Sequence, residues 1–376
     1  MLNSSNSQCK GNVETLINNH IESDYDLNNI SVGVIGSHSA LEIMDGAKDE
    51  GLRTVCICQK GRELPYLRFK RLADEIILVD KFSDLVFREN QDKLREINSI
   101  VVPHRAFTAY VGYDSIENEL MLPIFGNRNL FRAEERGNQK NQYFLLERAQ
   151  ISHPTIYKNY SEINGLAIVK IQESTRKLER AFFVVSSAQD YLEKSKDRIR
   201  KKVITKEDLQ LSVIEEFVIG TYFNFNFFCS PLTPETEFLG IERRLQTNLN
   251  DLNALPAKQQ LEFDTDVKHI EIGHTPASIR ESMLQKVFEL GDRFAEAVRK
   301  EYPPGIIGPF SLQSIVTPEL DIVVYDVSLR VPGNPIMATT SPYTKYSYGH
   351  TFGIGRRIAM EVKKGIGFNK LFTIVT

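Results

Sequence analysis

The chain has 376 residues, of which 41% are hydrophobic, with Lys+Arg 46 against Asp+Glu 49 for a net charge of −3. That length holds two or three domains, and that apolar content excludes wholesale disorder. The near-neutral balance excludes nucleic acid or an anionic membrane as the main electrostatic partner, so any phosphate chemistry must rest on local basic groups and backbone amides.

The first residues, MLNSSNSQCKGNVETLINNH, have no hydrophobic signal core and read as a polar lead-in followed by a short helix. No apolar run approaches the roughly 20 residues needed to span a membrane, so a soluble cytoplasmic protein is expected. From Ile30 the pattern becomes α/β. ISVGVIG is a β-branched strand ending in Gly36-Ser37-His38-Ser39, and ALEIMDGAKDEG has helical periodicity as far as Gly51. TVCICQ, EIILVD, SIVVP and LPIFG follow as further strands between polar or helical segments, an alternation that predicts a parallel sheet with helices on its faces. Ligands of such sheets sit at the carboxyl ends of the strands. Ser37 and His38, Lys60 and Arg62, His104 and Arg105, and Asn127 and Arg128 all fall there. The Gly36 turn is not the GxGxxG dinucleotide fingerprint. Ser37 or Ser39 serves as a helix cap in any case, whereas His38 is harder to explain as one. The four cysteines, Cys9, Cys56, Cys58 and Cys229, have neither zinc nor CxxC spacing and read as ordinary thiols in a reducing compartment.

Residues 129–150 read as a helical connector. LAIVKI then places Lys170 in an otherwise apolar strand, where a cation needs an anion or a route to solvent, and AFFVVSS is its partner strand. In VIEEFVIG, Glu215 and Glu216 are adjacent, so one of them faces inward or into a cleft. TYFNFNFF alternates core phenylalanines with Asn224 and Asn226, which orient a ligand or solvate the outer face. EFLGIERRLQTN is a strand with Gln246 near its end, and Pro276 to Pro303 is predicted to be an amphipathic helix. IIGPFSLQSIVTPELDIVVYDVSLR reads as a hairpin. With a loop of about four residues, Pro318 to Asp321, Gln313 falls opposite Asp326 at a Cβ separation of roughly 5 Å. That pair, with Arg330 on the same face, suits Mg²⁺ and a polyphosphate, because Mg²⁺ takes one or two protein oxygens and leaves its other positions to phosphate and water. An amphipathic hairpin with a polar outer face is the plainer reading.

In this order the segments resemble an ATP-grasp enzyme, an α/β and α+β fold with an N-terminal Rossmann-like (pre-ATP-grasp) domain. GSHSALEIMDGAKDEG, CQKGRELPYLRF, VPHRAFTAYVGYD, PIFGNRNLFRAEER, IEEFVIGTYFNFNFF, PAKQQLE, IRESML, PPGIIGPFSLQSIV and GRRIAMEVK are similar to the archaeal formate-dependent FAICAR synthetase family. That family makes 5-formaminoimidazole-4-carboxamide ribonucleotide (FAICAR) from the aminoimidazole carboxamide ribonucleotide AICAR, formate and ATP, through formyl phosphate, in purine biosynthesis. The resemblance implies a lead-in and short helix over residues 1–28, the Rossmann-like domain over 29–128, a connector over 129–152, a small lobe over 153–220 and a large lobe with the hairpin over 221–376. It implies ATP and Mg²⁺, or Mn²⁺ in its place, as cofactors, small-molecule substrates, and a homo-oligomer. Carried over by position, His38, Ser37 and His274 bind the nucleotide substrate. Lys170, Arg180, Glu215, Glu216, Val218 and Gln246 bind ATP, Gln313 and Asp326 hold the metal, and Arg330 is the catalytic cation.

Several positions depart from the family pattern. QESTRKLER has no glycine where the family has a Gly-rich phosphate loop, and close backbone approach to phosphate is harder without one. Ala106 stands for a family Ser, Gln246 for Glu, His274 for Asn, and Asp326 for Glu. The segment after Arg330 lacks the usual Gly-Gly-Thr-Asn-like turn. Changes at ligand-facing positions on a kept framework are what a paralogous carboxylate–amine ligase with another acid or nucleotide would show, and a non-catalytic nucleotide-binding protein is the remaining alternative.

Overall fold

The strand–helix alternation that begins at Ile30 does produce a parallel sheet. The computed structural model describes residues 5–171, 182–246, 255–262, 271–333 and 337–376. It places β1 (Ser31–Ile35), β2 (Arg53–Gln59), β3 (Glu75–Val79) and β4 (Ser99–Val101) in one sheet of order β3-β2-β1-β4, with every pair parallel. Cys56 and Cys58 are free thiols buried in β2. The run LPIFG does not add a fifth strand: Ile124 makes a single bridge to Val101, and Phe125 one to Val375. Pro123 has no N–H to give a ladder and Gly126 turns the chain at φ 116, so pairing ends after one residue on each side.

The N-terminal helix is longer than the short one expected. It spans Ser5–Asp24, because Val13, Ile17, Ile21 and then Tyr25 recur every fourth residue and are all buried against the parallel sheet; tertiary packing of such a stripe, more than propensity, stabilises a helix. The helix Ala40–Asp49 meets the C-terminal helix Ile354–Gly367 backbone to backbone. A Cβ on Gly46 would lie 1.9 Å from the Arg356 nitrogen, and one on Gly355 would lie 2.3 Å from the Glu42 carbonyl oxygen. Glu42, buried at this crossing, accepts from the Gly355 N–H at 2.7 Å. Burial raises its carboxyl to about 7.

A second sheet, order β5-β8-β6-β7, is antiparallel and built from β5 (Ile156–Tyr157), β6 (Ala167–Lys170), β7 (Phe183–Val185) and β8 (Val213–Glu216). Its own small core includes Val169, Phe183, Tyr191 and Ile214. The third sheet has order β11-β10-β9-β12-β13, again antiparallel: β9 (Thr221–Cys229), β10 (Thr236–Gln246), β11 (Glu271–Ala277), β12 (Gly308–Val316) and β13 (Ile322–Ser328). The helix expected from Pro276 begins instead at Leu284 and runs to Glu301. Pro276 lies near the end of β11 opposite Glu242, and a proline is tolerated there because β11 is an edge strand. Val287, Leu290, Phe294 and Val298 of that helix pack on Phe225, Phe227, Phe310 and Leu312. Among the described residues no helix is long and apolar enough to cross a membrane.

Candidate active site

The apolar residues of the third sheet face its helix, so their alternates face away, and these alternates are polar. The register puts Glu242 opposite Asn224, Asn224 opposite Gln313, and Gln313 opposite Asp326. This is one row across four strands on one face of the sheet, since cross-strand partners share a face. Beside it runs a second row, Asn226, Ser311 and Ser328. Nearly all of these side chains are buried, so this polar face is the floor of a cleft and not a solvated exterior. Asn224 and Asn226 are accordingly interior groups. Asn224 donates to Oε1 of Glu242, and Asn226 donates to the Asn224 carbonyl at 3.2 Å.

Gln313 meets Asp326 by a route different from the one expected. The hairpin loop begins after Val316, which pairs with Ile322, and a bulge at Tyr325 restores the register so that Gln313 opposes Asp326. A bulge of this kind re-aims side chains. Gln313 Nε2 donates to the Ser328 hydroxyl at 3.2 Å, while its Oε1 is buried without a hydrogen-bond partner. A buried amide oxygen in that state carries a desolvation cost of about 1–3 kcal/mol. An unsatisfied hard oxygen beside a carboxylate is a donor set that fits Mg²⁺ or Mn²⁺ with water and phosphate completing the shell. Among the described residues no group of three or more His, Cys, Asp or Glu gathers as a metal cluster, so any such ion would depend on other oxygens.

Facing this pair from the second sheet is Lys170 at the end of β6. Its ammonium is buried and paired with Oε2 of Glu215, and it lies 5.7 Å from the Tyr325 ring. Burial pushes the ammonium pKa down and the neighbouring Arg136 adds to this, while Glu215 opposes both. Glu215 is the inward member of its pair and fully buried; its other oxygen accepts from the Tyr143 hydroxyl. Glu216 turns the other way and accepts from the Thr155 N–H at 3.1 Å and the Thr155 hydroxyl at 2.8 Å. Val218 follows in the half-buried stretch after β8, and Gln246 ends β10 opposite Glu271. Arg180 lies outside the described residues, as does the glycine-free segment 172–180.

The third corner joins the parallel sheet to the large one. His38, at the carboxyl end of β1, has φ 49, a left-handed conformation uncommon outside glycine and often kept at functional sites. Its ring stacks on that of His104 with centroids 5.8 Å apart, and Nδ1 is 2.8 Å from the Ser39 hydroxyl. His38 keeps exposed surface, yet surrounding protein first, then Arg330 and His104, pull its pKa to about 3. A concave site does this, and the ring is neutral at pH 7. Ser39 sits at the helix N-cap position without capping through its side chain, because its hydroxyl donates to the Pro332 carbonyl at 2.9 Å. Ser37 is half-buried beside it. The segment after Arg330 thus lies directly over this turn. A Cβ on Gly333 would stand 2.7 Å from His38 Cε1 and 3.4 Å from His274 Nε2, so a side chain where the chain passes between the two rings would displace the His38 ring.

His274 is held differently. Nδ1 lies 2.9 Å from Glu242 Oε2 and Nε2 lies 2.8 Å from Glu271 Oε1. Burial alone would depress its pKa, but these two hydrogen bonds outweigh that and raise it to about 9. Arg244 Nε is 2.8 Å from Glu271 Oε2. Arg330 is buried, with Nε 3.4 Å from Glu134 Oε1, and burial lowers its pKa in spite of that carboxylate.

Other strand-end residues prove structural. Arg128 is buried and donates to the carbonyls of Ile116 at 3.1 Å, Leu120 at 2.8 Å and Leu122 at 2.9 Å. Asn127 donates to the Gly305 carbonyl at 2.9 Å. Lys60 pairs with Asp80 at the surface, and His104 accepts from the Ala106 N–H while its Nε2 bonds the Ile35 carbonyl at 2.8 Å. Conversely, the sequence assigns no site role to Arg136, Tyr143, Glu242, Arg244, Glu271 or Gly333, although Glu242 and Arg244 are evident at the end of their strand. Arg136 and Tyr143 lie in a connector whose pattern announces only helix. Glu242 and Arg244, by contrast, share the alternate-residue spacing of Asn224 and Asn226, a signal that was present.

Three sheets arranged around a cleft, with a lysine strand on one side and a polar hairpin face on the other, define an ATP-grasp protein. Two family models cover most of the chain: a protein of unknown function (DUF1246) over residues 32–157 and a domain of unknown function (DUF1297) over residues 190–376. The 5-formaminoimidazole-4-carboxamide-1-(beta)-D-ribofuranosyl 5'-monophosphate synthetase of Methanocaldococcus jannaschii is 40% identical over 354 residues, 94% of this chain and 96% of that one. Its namesake from Methanopyrus kandleri is 40% identical over 95% of this chain and 98% of its own. The crystal structure of an IMP biosynthesis protein PurP from Thermococcus kodakaraensis superposes with TM-score 0.69 at 23% identity, covering 92% of this chain and all (100%) of that one. An ADP complex of N5-carboxyaminoimidazole ribonucleotide synthetase gives 0.59 at 16%, covering 87% and 78%. The chain belongs to the 5-formaminoimidazole-4-carboxamide ribonucleotide (FAICAR) synthetase family.

Proposed function

We propose that this protein is an ATP-dependent carbon–nitrogen ligase that formylates AICAR to FAICAR in purine biosynthesis, acting in the cytoplasm. Formate oxygen attacks the γ-phosphorus of ATP and ADP leaves; the AICAR amine then attacks the carbonyl of formyl phosphate, phosphate leaves, and the amine gives up a proton. The observation that carries this reading is the orphaned Gln313 oxygen next to Asp326, opposite Lys170, in a chain of this family. Gln313 and Asp326 would hold a divalent cation, whose chemistry is to neutralise phosphate charge. Lys170 and the hinge Glu216 to Val218 bind the nucleotide from the small lobe, and Gln246 lines the same cleft. Arg330, fixed by Glu134, offers a buried cation to the transferring group; such transfer depends on alignment and charge neutralisation. His38, neutral and in a strained turn, meets the imidazole substrate, with Ser37 beside it. We divide the lobes at the boundaries read from the sequence, near residues 128, 152 and 220.

A second reading is favoured by His274 and Ala106. The imidazolium has both nitrogens bound to carboxylates, and Ala106 offers no hydroxyl, so the substrate side differs chemically from the pattern the sequence resembles. On that reading the enzyme is a ligase for another acid or another aminated nucleotide. Purified protein with ATP, Mg²⁺, formate and AICAR, followed for ADP and the formylated product, separates the two. ADP formed only with a different acid or amine supports the second reading and removes the first. Tight nucleotide binding with no ADP from any carboxylate removes both.

A further inference from the structure

Four charges alternate across the cleft. Lys170 pairs with Glu215, Glu215 Oε1 lies 3.5 Å from Arg136 Nε, and Arg136 Nη2 lies 3.1 Å from Asp326 Oδ1. Lys170 and Glu215 belong to the small sheet and Asp326 to the large one. Arg136 comes from the connector between Glu134 and the helix Gln142–Arg148, with its Nε also 3.1 Å from the Tyr143 hydroxyl. Two cations and two carboxylates leave this row balanced before any ligand arrives. The carboxylate beside the orphaned Gln313 oxygen therefore already has a counter-ion, and a planar, permanently charged guanidinium is well suited to bridge two carboxylates. Arg244 adds a second positive field at Asp326.

We propose that Arg136 is the resident counter-ion of Asp326, so that the free protein binds a divalent cation weakly and takes it up together with nucleotide phosphates. The inference rests on the metal role of Gln313 and Asp326 given above. A metal ion approaching Asp326 alone meets the guanidinium at close range. When phosphates come with it they supply the missing negative charge, and Arg136 keeps its contact with Glu215. Arg136 is a positioning residue here, acting through Asp326. By linkage, the metal then tightens nucleotide binding by the same factor as nucleotide tightens metal binding.

The test uses Mn²⁺ as the probe, with free Mn²⁺ followed by electron paramagnetic resonance and no nucleotide present. Arg136→Gln should bind Mn²⁺ about tenfold more tightly than the wild type, the scale of one partly exposed charge-assisted hydrogen bond. The gain should vanish in Arg136→Gln/Asp326→Asn, and Arg136→Lys, which keeps the charge, should bind as weakly as the wild type. A thermal melt of each variant establishes that it is folded. Folded Arg136→Gln with unchanged or weaker Mn²⁺ affinity overturns the proposal. A measurement on the wild type needs no variant of Arg136: tight Mn²⁺ binding without nucleotide, lost in Asp326→Asn, also overturns it. If Mn²⁺ binding in the presence of ADP is the same in Asp326→Asn as in the wild type, the metal role itself has failed, and the Arg136 proposal with it.

Discussion

Nδ1 of His274 lies 2.9 Å from Oε2 of Glu242, and through this contact β11 is joined to β10 at the mouth of the cleft. Glu271 holds the other ring nitrogen. The folded pKa of about 9 exceeds the ordinary 6.5. A histidine raised in this way contributes stability fully below about pH 6.5 and loses it as pH rises through about 9, an effect of up to roughly 3 kcal/mol. Melting temperature between pH 6.5 and 9.5 should fall in the wild type more steeply than in His274→Gln; parallel curves would show that the clasp does not titrate there.

Asp326→Asn keeps shape and removes charge. Metal-dependent ADP formation should drop by at least about 100-fold, with the melting temperature nearly unchanged because Arg136 retains Glu215. Activity within a few-fold of the wild type would place the metal elsewhere.

Lys170→Met takes a cation from a buried carboxylate that keeps Tyr143 and Arg136 as partners. The fold should survive, and ADP binding followed by calorimetry should weaken by about tenfold or more, the scale of a lost hydrogen bond to a charged group. Unchanged affinity would mean that this lysine serves Glu215 alone.

Gly333→Ala forces a methyl to within 2.7 Å of His38 Cε1. The ring must swing out of its stack on His104, so the KM for the nucleotide substrate should rise about tenfold while that for ATP stays put; misplacing a positioning group by about an ångström has effects of this size or larger. Equal changes in both would argue for a general disturbance of the cleft.

Gly46→Ala places a methyl 1.9 Å from the Arg356 backbone nitrogen. The helices must separate, which costs about 3 kcal/mol or more. Denaturant midpoints should fall accordingly, and a neutral outcome would show that this crossing tolerates separation.

Much of this architecture is visible in local pattern. The β-branched runs from Ile30 place the parallel strands, and the alternation of Phe223, Phe225 and Phe227 with Asn224 and Asn226 assigns the two faces of β9, because strand side chains alternate with period two. The pairing of Gln313 with Asp326 agrees with the hairpin expectation, although a longer loop and a bulge, not the expected four-residue loop, deliver it. The N-terminal helix runs longer than the sequence predicts, since its stripe of Val13, Ile17 and Ile21 gains meaning only against a sheet made of later residues.

The sequence by itself determined most of the elements, the alternation of polar and apolar faces and the family, because periodicity and motif spacing are properties of neighbouring residues. Tertiary structure alone decided which polar groups distant in the chain meet. Arg136 reaches Asp326 across 190 positions, Gly333 passes between His38 and His274, and Arg128 is spent on buried carbonyls. Charge and hydrogen bonding act through space at a few ångströms, and nothing in local spacing records which distant side chain will fill that distance.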